Sequence, residues 1–531
     1  MKNRGQNFTP AELNIVGSST FGRYPKISEE KTYNMFVSDN FLVPYAGYQI
    51  AIPSASFGGG VSGRAIFTSV KLNKLVVVID ANVYLVSLTY NQQLGQVEFV
   101  QVIFLGSLQT STGVVYISEN NASQILISDN VSLYLYDATL SPAFRTLSID
   151  FTPGYITFHD TYFIAAARNS NSWRLSGQND GTSWPNVAQN VGLIQTKPDQ
   201  IQAVVRFPSK GNMIFVMGSI VTESWFDTGA QLFPYQRNDQ YNIDYGCISP
   251  ATVAYLDEIV VWLAQNEKSG PIILMSNGGM PKKITTDGID FLFSNLQNPQ
   301  DSQAFLYRQD GHLFYHINFY SDNLSLFYDV YNDKFYHACD QNLNYFIAAE
   351  VAFFGNQYYF ITRNNGNMFS FDTLFTTYQD VTPNGTVFTT EIPRFRTCKN
   401  IRKADQSYFV ANDVGFTIET GETNYTQQIL PSPIDLVTQN DLFLLTQDGN
   451  FIELQNGSIV VNVTPRVDLS ISTDGGATFG SDMPYILPPI GLRKNRLMWW
   501  QLGVVNDLVC QFKFWGIGRF VATTGQVMTR E

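Results

Sequence analysis

The sequence predicts an all-β protein: a β-propeller of six to eight blades followed by a C-terminal β-sandwich-like domain. Three observations predict it. Short apolar or alternating runs recur along the chain with no sustained 3.6-residue period. Aromatic residues make up 14% of the chain, with 40 Phe and 28 Tyr, a composition that suits pleated surfaces better than helices. The runs are divided by Asp-Gly, at Asp180, Asp287, Asp310, Asp448 and Asp474, and by Asn-Gly, at Asn277, Asn365, Asn384 and Asn456. Both dipeptides suit hairpin turns, because Asn, Asp and Gly accept positive φ at small cost.

The elements follow in chain order. Residues 1–60 hold several Pro and Gly without a clear strand series and read as an N-terminal arm and lead-in. Residues 61–390 carry runs such as KLVVVID, NVYLVSL, ASQILISD, NMIFVMG, EIVVWLA and HLFYHINFY. At roughly 40–50 residues per blade, that stretch supplies the six to eight blades. Near residue 391 the texture changes to strands carrying basic residues. Residues 391–531 exceed the ~100 that a sandwich needs, and extra hairpins are expected over about 411–460.

Size and charge exclude several classes. A chain of 531 residues is too long for one core, and 44% hydrophobic against 15% charged residues argues against disorder. The net charge of −12 does not fit a nucleic-acid binder that works by counterion release. The densest basic stretch, RFRTCKNIRK, places Arg394, Arg396, Lys399, Arg402 and Lys403 together. It reads as a solvated strand face, with a small contact patch for anions as the alternative. No apolar run approaches the ~18 residues of a membrane span. The N-terminus, MKNRGQNFTPAEL, lacks the apolar region of a secretory signal. Cys247, Cys339, Cys398 and Cys510 lie far apart without CxxC spacing and are expected as lone buried thiols. No cofactor is expected.

Two motifs raise the question of chemistry. STDGGATF fits the Asp-box spacing, with Ser472, Asp474, Gly476, Thr478 and Phe479 in the defining places. NDGTSW is a shortened cousin carried by Asp180, Gly181 and Trp184. Asp-boxes occur in sialidases, so a carbohydrate-active or host-glycan-binding propeller is one reading. The physical content of the motif is a turn: a carboxylate accepts from turn N–H groups, and glycine permits the tight backbone. A glycosidase needs two facing carboxylates or a Tyr nucleophile. Glu223 near Trp225 and the pair Asp257-Glu258 are the candidates, with edge charge as the plainer reading. His312 and His316 share a strand face beside Asp310, but zinc needs at least three protein ligands. FGGGVSG, residues 57–63, lacks the Lys-Ser/Thr and the helix of a phosphate loop. No catalytic residue is assigned.

Five segments, in this order, carry a resemblance: GRYPKISEEKTYNMFVS; NDGTSW; MIFVMGSIVTESWFDTGA; YGCISPATVAYLDEIVVWLAQNEKSGPIILMSNGGMPKKITTDGID; and VDLSISTDGGATFG with RKNRLMWWQLGVV and FKFW. Together they span most of the chain. In that order they resemble the packaged-DNA stabilisation, or tail-nozzle (tail-hub), proteins of short-tailed bacteriophages. Residues 411–460 depart from the family's pattern. The resemblance implies a structural virion protein, assembled in the host cytoplasm as a hexameric tube below the portal and adaptor rings. Its further partners would be tail fibres, spikes or a needle, with transient contact to translocating DNA. The acidic balance suits a conduit along which DNA slides without sticking. Asp and Glu are expected on the lumen, and basic residues at ring or adaptor contacts.

Overall fold

A computed structural model describes residues 8–22, 29–91, 96–207, 211–230, 233–382, 386–420, 426–431, 458–488 and 494–530. The chain forms two compact units. One is built from the described residues of 51–333 and 345–370, the other from those of 1–50, 334–344 and 371–531.

The first unit is a β-propeller. Six small antiparallel sheets follow one another among its described residues, and the strands within 302–329 belong to a nine-stranded sheet. Blade 1 holds Gly63–Ser69, Lys74–Ile79, Asn82–Asn91 and Gln96–Ser107. Blade 2 opens with Tyr116–Glu119, blade 3 with Pro153–His159 and blade 4 with Ile201–Arg206. Blade 5 is built around Ile259–Gln265, blade 6 around His312–Phe319 and blade 7 around Gln357–Thr362. The ring closes where Ala348–Phe354 of blade 7 lies against Gly63–Ser69 of blade 1. There the Thr68 hydroxyl donates to the Phe353 carbonyl at 2.9 Å.

Closure explains why so many strands read as unbroken apolar runs. In Lys74–Ile79 the residues Leu75, Val77 and Ile79 pack with Ala352, Tyr359 and Ile361 of blade 7. The alternate residues, Val76 and Val78, pack with Ile125 and Ile127 of blade 2. Successive side chains point to opposite faces, and each blade is covered on both. Both residue sets are therefore apolar. Blades 2 and 3 meet through Leu126, Leu135, Phe158 and Phe163. Blades 3 to 5 share a core around Trp173, Val204, Phe215 and Trp262.

The turn chemistry holds at Asp310-Gly311, where both residues take positive φ (49° and 84°) between two paired strands, as a tight hairpin turn requires. It fails at Asp287-Gly288. These residues begin an α-helix, Asp287–Ser294, with Asp287 and Asp290 in its first turn. Acidic side chains there complement the positive helix terminus, which outweighs the turn preference of the dipeptide. Asp448, Asn384 and Asn456 lie outside the described residues.

The second unit is a sandwich of two sheets. In the first sheet, Phe409–Thr420 pairs with Lys494–Val505 on one side and with Phe520–Ala522 and Gly525–Arg530 on the other. The second runs through Lys31–Tyr33, Arg394–Thr397, Val509–Trp515, Arg466–Ser472 and Met483–Ile486. Phe416, Leu497 and Trp499 of one sheet meet Leu469, Phe512 and Phe514 of the other, with the Phe416 and Phe512 rings 5.1 Å apart. The stretch expected as an arm holds Thr9–Leu13, Lys31–Tyr33, Met35–Ser38 and Phe41–Pro44, all strands of this unit. At three to five residues each, they are too short to display a period of two. Of the hairpins expected over about 411–460, Thr426–Pro431 pairs with Ser458–Val463; 421–425 and 432–457 lie outside the described residues.

Each unit buries a neutral histidine. His316 is stacked on Phe305 at 4.8 Å and faces Asn318 Oδ1 at 3.2 Å. His337 meets the Ser19 hydroxyl at 2.8 Å and is stacked on Tyr33 at 4.7 Å. Burial pushes both down to about 3. A base whose folded pKa is depressed leaves stability intact above its ordinary value, near 6.5. It withdraws that stability as pH falls toward the folded value. Thermal unfolding should therefore lose stability from about pH 6.5 down to about pH 3, and His316→Gln should flatten part of the slope. Parallel slopes for the wild type and the variant would contradict this.

Candidate functional site

The Asp-box is a closed turn in the sandwich unit. Ser472 ends the strand Arg466–Ser472, and its hydroxyl donates to Asp474 Oδ1 at 2.6 Å while accepting from the Gly476 N–H at 2.9 Å. Asp474 Oδ1 also accepts from the N–H groups of Ala477 and Thr478, each at 3.0 Å. Its second oxygen takes the Thr478 hydroxyl at 2.7 Å. Gly475 and Gly476 have φ of 75° and 92°, a conformation that disfavours any other residue. Phe479 is half-buried. The Ser472 and Thr478 hydroxyls, with the turn N–H groups, hold the Asp474 carboxyl well below its usual range. Both oxygens accept hydrogen bonds from the turn itself. Asp474→Ala should lower the unfolding midpoint of the sandwich unit; an unchanged midpoint would contradict the turn's role.

The cousin turn does similar work between blades 2 and 3. Asp180 Oδ1 accepts from the Thr182 N–H (2.9 Å) and hydroxyl (2.6 Å). The Gly181 N–H donates to Gln124 Oε1 at 2.8 Å. Trp184 donates its indole N–H to the Gly181 carbonyl at 3.0 Å and packs near Phe151. The Asp-box lies in the other unit.

The basic stretch divides. Arg394 and Arg396 are 1% and 0% exposed, so the expected solvated face is interior at these two positions. Both lie on one side of the strand Arg394–Thr397, and each guanidinium is spent on backbone carbonyls. Arg394 reaches Ile517 and, at 3.4 Å, Gly518 and Tyr45. Burial pushes it down to about 10. Arg396 donates to the carbonyls of Asn14, Ile15 and Ser18 at 2.7–3.1 Å, to the Thr32 hydroxyl, and to the Glu30 carboxylate. Lys399 and Arg402 are exposed and Lys403 is half-buried.

The remaining candidates are also committed within the fold. Glu223 is fully buried: one oxygen accepts from the N–H groups of Gln195 and Thr196 (2.8 and 2.7 Å) and the Thr196 hydroxyl, the other from the Trp225 indole at 3.0 Å. Asp257 sits at an exposed turn paired with Arg308, and Glu258 beside it is exposed. His312 contacts Asp329 at 2.8 Å while His316 is stacked in the core. No group of His, Cys, Asp and Glu able to hold a metal occurs among the described residues. All four cysteines are free and buried, and burial pushes the Cys247 and Cys398 thiols up to about 12. In the glycine-rich loop, the N–H groups of Val61 and Ser62 are bound by the Asp80 carboxylate at 3.0 Å each. Those donors are not free for a phosphate.

Two features were not anticipated. Buried charges pin the linkers between blades. Arg64 in blade 1 donates to the carbonyls of Thr110, Thr112 and Gly113 at 2.6–2.7 Å, and Asp199 accepts from the N–H groups of Ile220 and Val221. The other feature is an open central cavity of about 710 Å³ lined by inner strands of the ring, with Glu350 in its wall. A single Glu in the run AAEVAFF was the one available signal.

The chain thus falls in the class of β-propeller proteins, with a β-sandwich as its other unit. Over residues 77–372, more than half of the chain, the sequence matches the phage-stabilisation family described as Bacteriophage P22 Gp10, β-propeller. The chain belongs to that family, which supports a structural role in a phage. No curated protein matches it in sequence. Among solved structures it is similar to the N-terminal domain of Nup159 (10% identity, 63% of this chain and 96% of that one, TM-score 0.39). It is also similar to virginiamycin B lyase from Staphylococcus aureus (9% identity, 61% and 99%, TM-score 0.40). Overlaps this loose say nothing of what the chain does.

Proposed function

We propose that this chain is a non-enzymatic component of a phage tail. Copies of it, as a homo-hexamer, form a nozzle below the portal and head–tail adaptor ring that retains packaged DNA and conducts it during ejection. Family membership across residues 77–372 is the observation that carries this reading. Two further features support it. The net charge of −12 disfavours adhesion of a polyanion, so DNA touching the conduit does so transiently. The carboxylates of the Asp-box and of Glu223 are hydrogen-bonded within their own unit, as turn and clasp groups are, whereas a glycosidase needs two facing carboxylates. Fibres, spikes or a needle would complete the assembly, formed in the host cytoplasm and retained in the virion.

Phage particles assembled without this chain should fill with DNA and then lose it. Full genome retention in such particles would overturn the reading. Incubation of the full chain with host polysaccharides should release no reducing ends, and turnover there would favour a sugar-cleaving role.

A further inference from the structure

Glu350 lies on the inner strand of blade 7, Ala348–Phe354, where the register with the next strand shifts. One carboxylate oxygen, Oε2, accepts the N–H of Ile66 in blade 1 at 3.1 Å, so the side chain helps to close the ring. The other oxygen has no hydrogen bond, and the carboxylate has no ion pair, among the described residues. The side chain keeps some accessible surface, as a group on the wall of a cavity does. The walls around it are largely apolar and include the aromatic rings of Tyr116, Tyr155, Tyr255 and Phe305, with the first two 4.9 Å apart. Of the other charged groups on the wall, Asp257 and Arg308 are paired with each other. Burial raises the phenols of Tyr116, Tyr155 and Tyr358, which stay neutral. Glu350 is thus the one carboxyl on the described wall without a cationic partner.

We propose that the central cavity of the propeller binds an alkylammonium ion, its charged nitrogen on Glu350 Oε1 and its carbon chain against the aromatic rings of the wall. The chemistry follows from what the cavity lacks. A carboxylate on a largely apolar wall is stabilised by a cationic or donor partner, and aromatic faces attract a cation while accepting its apolar chain. A volume of about 710 Å³ is of the size that small-molecule sites have. Without a ligand, burial pushes the Glu350 carboxyl up to about 8, so near neutrality it is largely protonated. Binding of the cation favours the carboxylate, and the proton on Glu350 leaves to solvent. This inference does not depend on the tail assignment.

Calorimetry of the full chain with butylammonium, and with butan-1-ol as a neutral counterpart, tests it. The ion should bind at least about tenfold more tightly than the alcohol, and its affinity should rise by up to about tenfold per pH unit from pH 6 to pH 8 before levelling. Glu350→Gln keeps an oxygen for the Ile66 N–H while removing the charge, and should weaken the ion by about tenfold or more. No saturable heat at pH 9, equal binding of the alcohol, or undiminished binding by Glu350→Gln would each overturn the proposal. Should that variant fail to fold, an affinity of the wild type that does not change between pH 6 and 8 would overturn it equally.

Discussion

Arg396→Ala should destabilise the sandwich unit by about 3–5 kcal/mol, the range for breaking a buried ion pair by removing one partner. Five acceptors, the carbonyls of Asn14, Ile15 and Ser18, the Thr32 hydroxyl and the Glu30 carboxylate, surround this one guanidinium. None can be reached by water at no cost, because the side chain is fully buried. Arg396→Lys should cost less but not be neutral, since an ammonium cannot reproduce the planar fork. Packing leaves no slack: a Cβ built on Gly17 would lie 2.2 Å from Arg396 Nη2, so Gly17→Ala should also destabilise this unit. Denaturant unfolding of the full chain checks the series. A loss below about 1 kcal/mol for Arg396→Ala would place it in the range of a surface pair and contradict the interior assignment.

Glu223→Ala should cost the propeller about 3 kcal/mol or more, because it strands the Gln195 and Thr196 amides and the Trp225 indole at about 1–3 kcal/mol for each group left unpaired. Glu223→Gln retains one carbonyl oxygen for the two amides but turns a donor toward some of its partners, and should fall between. Hydrogen exchange offers a local readout. The Gln195 and Thr196 amides should exchange faster in Glu223→Ala while amides of blade 1 change little. Unchanged protection at 195 and 196 would remove Glu223 from its role as a clasp.

These two residues show where sequence reasoning stops. The propeller was legible because burial on both faces writes unbroken runs such as KLVVVID, and because Asp310-Gly311 adopts the backbone its dipeptide favours. The interior arginines were not. Arg394 and Arg396 sit two apart on a strand, a spacing that serves a solvated face as well as a buried one. Their partners in residues 14–45 and 517–518 are far away in sequence. Asp287-Gly288 has the composition of a turn, yet the acid at a helix start decided its conformation. Many of the tight turns use Asp or Asn without a following Gly, as at Asp80, Asp160 and Asp257, all with positive φ, so counting dipeptides understates them. The Asp-box was legible as a turn because its hydrogen bonds are local. Glu350 was not legible as a cavity group, because the cavity exists only once Ala348–Phe354 has come back to Gly63–Ser69.

The proposed role is mechanical, that of an assembled conduit. Light scattering combined with electron microscopy of the purified full chain, alone and mixed with portal–adaptor complexes, tests it most directly. The account predicts closed rings of six copies, formed alone or on the adaptor, with an acidic lumen. A strict monomer under both conditions, or a ring whose lumen is lined continuously by Lys and Arg, would contradict it.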